Sequence, residues 1–401
     1  MATPARRLLT VNPGSSSLKI AVYELDGTEK LILSAEAERI GLVNGRMRVT
    51  DADGTTLLDE RGDLADHRTA LGALLAWLRS RGVDRRLDAI GHRIVHGGSR
   101  HRDPQLITPE LLAELRELAP IDPDHLPAAL GVIEQMADAH PAVPQVACFD
   151  TAFHRSMPRL AQLYALPRRL WDTGLVRYGF HGLSCEYIMQ ELRILDGPSA
   201  DGRVIIAHLG NGASLTAVRH GVSVDTTMGF TPTGGLMMGT RSGDLEPGVL
   251  LFLLQSQGMS PEALGRLVNR EAGLLGVSGS SHDMRDLLDR ESSDPRAAEA
   301  VALFCYLARK FLGSLVAVLG GLDTLIFTAG IGEHAAPVRE RISAGLEFLG
   351  IELDPRRNAA NAPIISRDGS RARVRVIKTD EDLMVARHVR RLLSASGVDD
   401  V

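Results

Sequence analysis

Lysine is the scarcest charged residue here: of 45 Lys plus Arg, only four are lysines, at 19, 30, 310 and 378. Arginine is therefore the default cation, and a lysine beside a Gly/Ser turn is a placed residue rather than filler. Cysteine is rarer still. Cys148, Cys185 and Cys305 are too far apart for a disulfide framework or a zinc motif and suit a reducing cytoplasm. No basic excess exists, since the net charge is −5, and general nucleic-acid binding needs one. Neither GxxxxGK[ST] nor GxGxxG occurs, which leaves the P-loop and dinucleotide-binding readings weak. There is no N-terminal apolar run of signal-peptide length. The longest apolar stretch, 301–322, carries Arg309 and Lys310, so it reads as a buried amphipathic helix rather than a membrane span.

What is present belongs to a large globular protein. A chain of 401 residues with 44% hydrophobic and 24% charged residues buries sizeable cores and divides into two domains. The stretch 8–24, LLTVNPGSSSLKIAVYE, sets the plan. An apolar strand stops at Asn12-Pro13-Gly14, passes three serines, and resumes with alternation that puts Leu18, Ile20 and Val22 on one face and Lys19 on the other. Gly and Ser offer N–H groups and hydroxyls with little bulk, as phosphate oxygens require; an ordinary hairpin with an exposed lysine is the plainer reading. Strands are expected within 41–59, a helix over 70–81, a buried strand at 87–98 ending in Gly-Gly, a helix opened by Thr108-Pro109 and closed by Pro120, and a strand entering 144–154. RVIIAHLGNGASLTAV at 203–218 then repeats the opening design, and LDTLIFTAGIGEHA at 322–335 echoes 87–98 as a buried strand ending in glycines. The repetition predicts two domains of similar topology facing each other. The segment 377–393 reads as a helix led by acids and ending in arginines.

Several positions carry possible chemistry. Six glycines, three Met and a lone Arg241 between small residues fill 225–248, which implies backbone packed around something and a guanidinium free to reach a phosphoryl group. A structural loop is the alternative. His92 and His96 on a strand stand roughly 13 Å apart, too far to share a metal. Arg93 ends a buried strand, where a charge calls for an anion, either a ligand or a salt-bridge partner. Asp150, His181, His208, Asn211 and Glu381 each have an ordinary structural reading when taken singly.

Read together, VNPGSSSLK, HRIVHGG, FDTAFH, RYGFHGLS, HLGNGAS, TTMGFTPTGGLMMGTRSGDLEPG, FTAGIGEHA and TDEDLMVAR resemble the acetokinase family over nearly the whole chain. The resemblance implies an α/β fold of two similar actin/hexokinase-like (ribonuclease H-like) domains around a central cleft. The expected domains are 1–150 with 382–401, and 151–381, with hinges near 150 and 380. It further implies a cytoplasmic homodimer, without nucleic-acid or membrane partners, that transfers the γ-phosphate of ATP reversibly to acetate with Mg²⁺ or Mn²⁺. By the same resemblance, Asn12 and Glu381 fall at the metal, and Lys19 at a phosphate. Arg93 falls at the substrate carboxylate, with Val95, Phe180 and Pro232 around its methyl group. Asp150, His181 and Arg241 take the catalytic positions. His208, Leu209, Gly210, Asn211 and Gly212 form the phosphate loop, and Asp283, Met284, Arg285 with Gly330, Ile331, Gly332, Glu333 and His334 surround the nucleotide. Three departures stand out: Asp122 where the family carries His, His334 for the usual Asn, and TDED for Thr-Asn-Glu-Glu. The first leaves propionate or another short acid open as the substrate. A nucleotide-dependent binding module of the same superfamily is the reading from another class. Direct in-line attack by an already ionised carboxylate leaves Asp150 no proton to remove, which points to an orienting role for it.

Overall fold

The computed structural model describes residues 6–14, 16–25 and 29–395. Ser15 of the first turn and the outer ends of the expected first domain, 1–5 and 396–401, lie outside the described residues. The chain divides into two compact units, residues 1–152 with 380–401, and residues 153–379. The second crossing therefore precedes Asp380, and Glu381 belongs to the first unit rather than closing the second.

The first unit is built on a sheet of eight strands. They are β1 (Arg6–Pro13), β2 (Ser17–Leu25), β3 (Glu29–Glu38), β4 (Gly45–Asp51), β5 (Thr56–Gly62), β6 (Ala89–Ile94), β7 (Gln105–Leu106) and β8 (Gln145–Phe149), in the order β5-β4-β3-β2-β1-β6-β8-β7. The first five form an antiparallel meander; β1, β6 and β8 are parallel neighbours. β3 adds a strand ahead of the 41–59 region, where a polar, alternating sequence buries only every second residue toward its end. The helix expected over 70–81 runs His67–Ser80, because the Asp66 side chain accepts from the Thr69 N–H and caps it earlier. Thr108 caps the helix Pro109–Leu118 in the same way. Leu71, Leu74 and Leu78 pack with Leu9, Ile20 and Ile90 in the core on one side of the sheet. The last helix, Glu381–Ala395, packs against β1 and β6. Gly91 makes that approach possible, since a Cβ there would stand 2.5 Å from Val385 Cγ1 and 2.7 Å from Val389 Cγ2.

The second unit repeats the plan in smaller form. β9 (Arg203–Leu209), β10 (Ala213–Arg219), β11 (Val222–Thr226), β12 (Thr324–Thr328) and β13 (Arg373–Val376) lie in the order β11-β10-β9-β12-β13. Again a three-strand meander is followed by two parallel strands beside its first member. One expectation fails in detail. The glycines after β12 do not make a turn like Gly97-Gly98; Gly330 and Gly332 lie in a helix, Ala329–His334. The Glu333 carboxylate stabilises that helix by accepting from the Ala329 N–H at 2.9 Å. The apolar 301–322 stretch belongs to the helix Pro295–Leu319, long and apolar enough by composition to cross a membrane. It buries Val301, Phe304, Leu312 and Leu315 within its own unit.

Candidate functional site

In the first unit the candidate residues collect at the carboxyl ends of the parallel strands, where α/β sheets leave a crevice for ligands. Asn12 is the penultimate residue of β1 and pairs in register with Lys19 across the hairpin. Arg93 is the penultimate residue of β6, Asp150 follows β8, and Glu381 opens the last helix. Asp150 is fully buried, and its Oδ2 accepts from Arg93 Nη2 at 2.7 Å. Arg93 Nη1 donates to Asn12 Oδ1 at 3.0 Å, Arg93 Nε stands 3.6 Å from Glu381 Oε2, and Asn12 Nδ2 donates to the same oxygen at 3.3 Å. The anions that meet Arg93 within the protein are therefore Asp150, at hydrogen-bond distance, and Glu381 farther off, the salt-bridge alternative left open by the sequence. A guanidinium has five N–H groups, so further donors remain for a ligand. Burial works against the Arg93 cation, but Asp150 and Glu381 outweigh it and hold its pKa above the usual arginine value.

Lys19 is half-exposed and pairs with Glu36 at 3.7 Å. Desolvation lowers its pKa, but Glu36, Asp382 and Glu381 more than compensate, leaving it raised. Asp382 is a residue that sequence reasoning missed. Desolvation, and then Asp380, push its carboxyl up to about 7, while Lys19 pulls the other way; Thr10 Oγ1 donates to it at 3.4 Å. Its only signal in the sequence was an acidic triplet, which helix starts commonly carry. Asn12 and Glu381 present one amide and one carboxylate oxygen donor to the same corner. That set suits Mg²⁺, which keeps several waters and takes few protein ligands. Among the described residues no three His, Cys, Asp or Glu side chains gather into a fuller cage.

The second unit brings together a different group. His181 and His208 stack at 4.0 Å with 17° between their planes. His181 Nδ1 lies 2.9 Å from Ser214 Oγ, and His208 Nδ1 lies 2.8 Å from Ser184 Oγ, itself 2.8 Å from Thr379 Oγ1. The turn between β9 and β10 faces this pair. A Cβ on Gly212 would meet His181 Nε2 at 3.2 Å and Arg241 Nη1 at 3.5 Å. The bare glycine thus leaves a small recess lined by an imidazole and a guanidinium, a setting for an anion. Arg241 is not the loose side chain expected from its small neighbours: Nη1 donates to the Pro232 carbonyl at 3.1 Å. Its loop is held from beneath by Gly273 (φ +63), where a Cβ would stand 2.2 Å from the Met238 carbonyl oxygen. Asn211 packs on Gly239, whose N–H donates to the Asn211 carbonyl.

Other expected residues are placed less directly. Val95 is buried in the first unit, Phe180 and Pro232 in the second. Met284 is buried, and Asp283 caps the helix Met284–Arg290 while pairing with the Arg285 side chain, so of that stretch only Arg285 extends well into solvent. Gly330 is exposed with open space around its missing side chain, and His334 is exposed. Leu209 and Gly332 are buried. Glu333 turns inward: its Oε1 accepts from the Ala329 and Thr379 N–H groups, so its role is to hold the loop. Of the three early histidines, His92 bonds Gln145 at 2.6 Å, His96 Nδ1 accepts from the Gly98 N–H, and His101 lies 3.1 Å from Glu114.

Comparison with known proteins settles the family. The model of the Acetokinase family matches residues 7–387. The chain belongs to the acetokinase family. It is 47% identical over 392 residues to an acetate kinase of Rhodopseudomonas palustris, covering 96% of this chain and 98% of the relative. It is 42% identical to a propionate kinase of Citrobacter rodentium, with 98% of each chain covered. Among solved structures it resembles an acetate kinase of Porphyromonas gingivalis (TM-score 0.86, 36% identity, 97% and 100% covered). A propionate kinase of Francisella tularensis is similar too (TM-score 0.89, 34% identity, 96% and 98% covered). This acetokinase is thus a phosphotransferase with a carboxyl acceptor, on the expected fold of two actin-like units.

Proposed function

We propose that this acetokinase transfers the γ-phosphate of ATP to acetate, giving acetyl phosphate and ADP by direct in-line displacement. The observation that carries the reading is the Arg93 guanidinium, held by Asp150 and Asn12 at the carboxyl ends of β1, β6 and β8 with N–H groups to spare. Arg93 orients the acceptor carboxylate, which is already ionised near neutrality and attacks without losing a proton. Lys19 binds phosphate oxygens; His181 and Arg241 stabilise the charge of the transferring phosphoryl group. Asp150 holds Arg93 in orientation instead of acting as a base. Asn12 and Glu381 are the residues that would hold Mg²⁺, whose chemistry when bound is to neutralise phosphate charge. Gly330, with open space above it, and the exposed His334 at the far end of its helix suit contact with the adenosine.

Hydroxylamine trapping of acyl phosphate, with ATP, Mg²⁺ and a panel of short acids, tests the reading. Acetate should give the highest kcat/KM. Preference for propionate would favour the second reading, which the propionate kinase relatives and Asp122 support. No product with any short acid would favour a nucleotide-dependent binding module. Asp150→Asn should keep the shape of the wild-type pH–rate profile while lowering its height; loss of one limb would restore Asp150 as an acid/base. Self-association is also part of the reading. The helix Pro247–Gln255 buries none of its residues, and Val249, Leu251 and Phe252 are exposed, an apolar face suited to a second copy. Light scattering should return twice the chain mass, in keeping with a cytoplasmic homodimer.

A further inference from the structure

We infer that His154 is a positioning residue, holding the strained turn that carries His181 through one hydrogen bond to the Phe180 carbonyl. The inference rests on the proposed role of His181. His154 is fully buried, and the chemistry described above does not use it. Its Nε2 lies 2.8 Å from the Phe180 carbonyl oxygen. A carbonyl only accepts, so Nε2 carries the proton. Nδ1 lies 3.0 Å from Ser223 Oγ and accepts from that hydroxyl in the neutral ring. The two neighbours therefore fix one tautomer.

The turn itself is tightly determined. The Tyr178 and Gly179 N–H groups both donate to the Gly229 carbonyl, at 3.0 and 3.4 Å. Gly179 has φ +77, and a Cβ on it would strike Thr226 Cγ2 at 2.6 Å and the His154 ring at 2.7 Å. Two residues on, His181 has φ +59, a left-handed conformation that is unfavourable for a non-glycine residue. The Phe180 carbonyl and the His181 N–H share one peptide plane. Fixing the direction of that carbonyl limits the rotation that sets φ of His181. Released from His154, the peptide can turn, φ can relax to negative values, and the His181 ring leaves its stack on His208 and its place beside Gly212.

The test uses the full-length enzyme. Wild-type turnover in the trapping assay comes first, because failure there overturns the proposed function and not this inference. His154→Phe keeps a ring in the pocket but removes the donor. It should lower kcat by roughly 10–100-fold with KM for ATP and acid changed by less than about threefold. His154→Gln places an amide nitrogen where Nε2 stood and should recover kcat to within about threefold of wild type. The His181 imidazole resonances should move in the Phe variant, as stacking on His208 is lost, and stay in place in the Gln variant. If the Phe variant does not fold, His154→Asn, whose amide reaches only the Nδ1 position, takes its place with the same expectation. Wild-type kcat in the Phe or Asn variant would overturn the inference. So would a Gln variant no better than Phe with the His181 resonances unmoved, which assigns His154 to packing alone.

Discussion

The two hairpins β1–β2 and β9–β10 occupy the same place in the two sheets, yet they carry opposite kinds of polar chemistry. At the end of the first, Asn12 stands opposite Lys19, within a network of full charges: Arg93 with Asp150, Glu381 beside them, and Lys19 with Glu36. At the end of the second, His208 stands opposite Ser214, and the network is one of imidazoles and hydroxyls: His181, His208, Ser184, Ser214 and Thr379. The backbone plan is shared; the side chains grafted at the strand ends differ. On the proposed reading, the first unit holds an anionic acceptor and a cation, and the second cradles a transferring phosphoryl group with Arg241 alongside.

The comparison is broken most severely at Arg241. Arg241→Ala should reduce kcat by roughly 10³-fold or more with a much smaller change in KM, the signature of a group acting in the transition state. Steady-state kinetics decide it: equal fractional changes in both constants would contradict that role.

A smaller effect separates the parallel strands. β6 carries a buried histidine, His92, whereas β12 is apolar from Leu325 to Phe327. Burial, opposed only by the Gln145 hydrogen bond, lowers the His92 pKa from 6.5 to about 4. The unfolded chain therefore binds this proton first as pH falls. Folding free energy is untouched by His92 above pH ~6.5 and declines between there and ~4, by about 3 kcal/mol in all. His92→Gln should remove that share of the acid sensitivity, read as the difference between wild-type and variant urea midpoints at pH 7 and pH 4. Equal acid sensitivity in the two proteins would refute the assignment.

The mildest break is Gly91→Ala. Its new methyl would crowd Val385 and Val389 of the last helix, and overpacking of this kind costs roughly 1–3 kcal/mol. Thermal melting checks it, and an unchanged midpoint would show that the helix can shift to make room.

These contrasts also mark what could be read in advance. Alternation around Lys19, the cap at Thr108 and the repeat at 203–218 are short-range features, and the strands and helices follow them closely; the Asp66 cap, which starts its helix earlier than expected, was not read. β3 went unread because its outer half alternates between polar residues on a partly solvated sheet. The candidate residues were legible as types, but their partners were not. Nothing local distinguishes Arg93 facing a ligand from Arg93 facing Asp150, and nothing in TDED marks Asp382 as the carboxyl held at about 7.

The sequence by itself determined the duplicated sheets, the placement of small residues at the turns and the family to which this acetokinase belongs. These follow from periodicity, capping and motif order, which act over a few residues at a time. Only the tertiary structure decided that Asn12 meets Glu381 across 369 positions, that Glu333 turns inward toward Thr379, and that His154 reaches the peptide ahead of His181. Pairings of buried charges and hydrogen-bonding groups depend on which strand ends and helix starts converge, and that convergence is set by the packing of whole sheets against their helices.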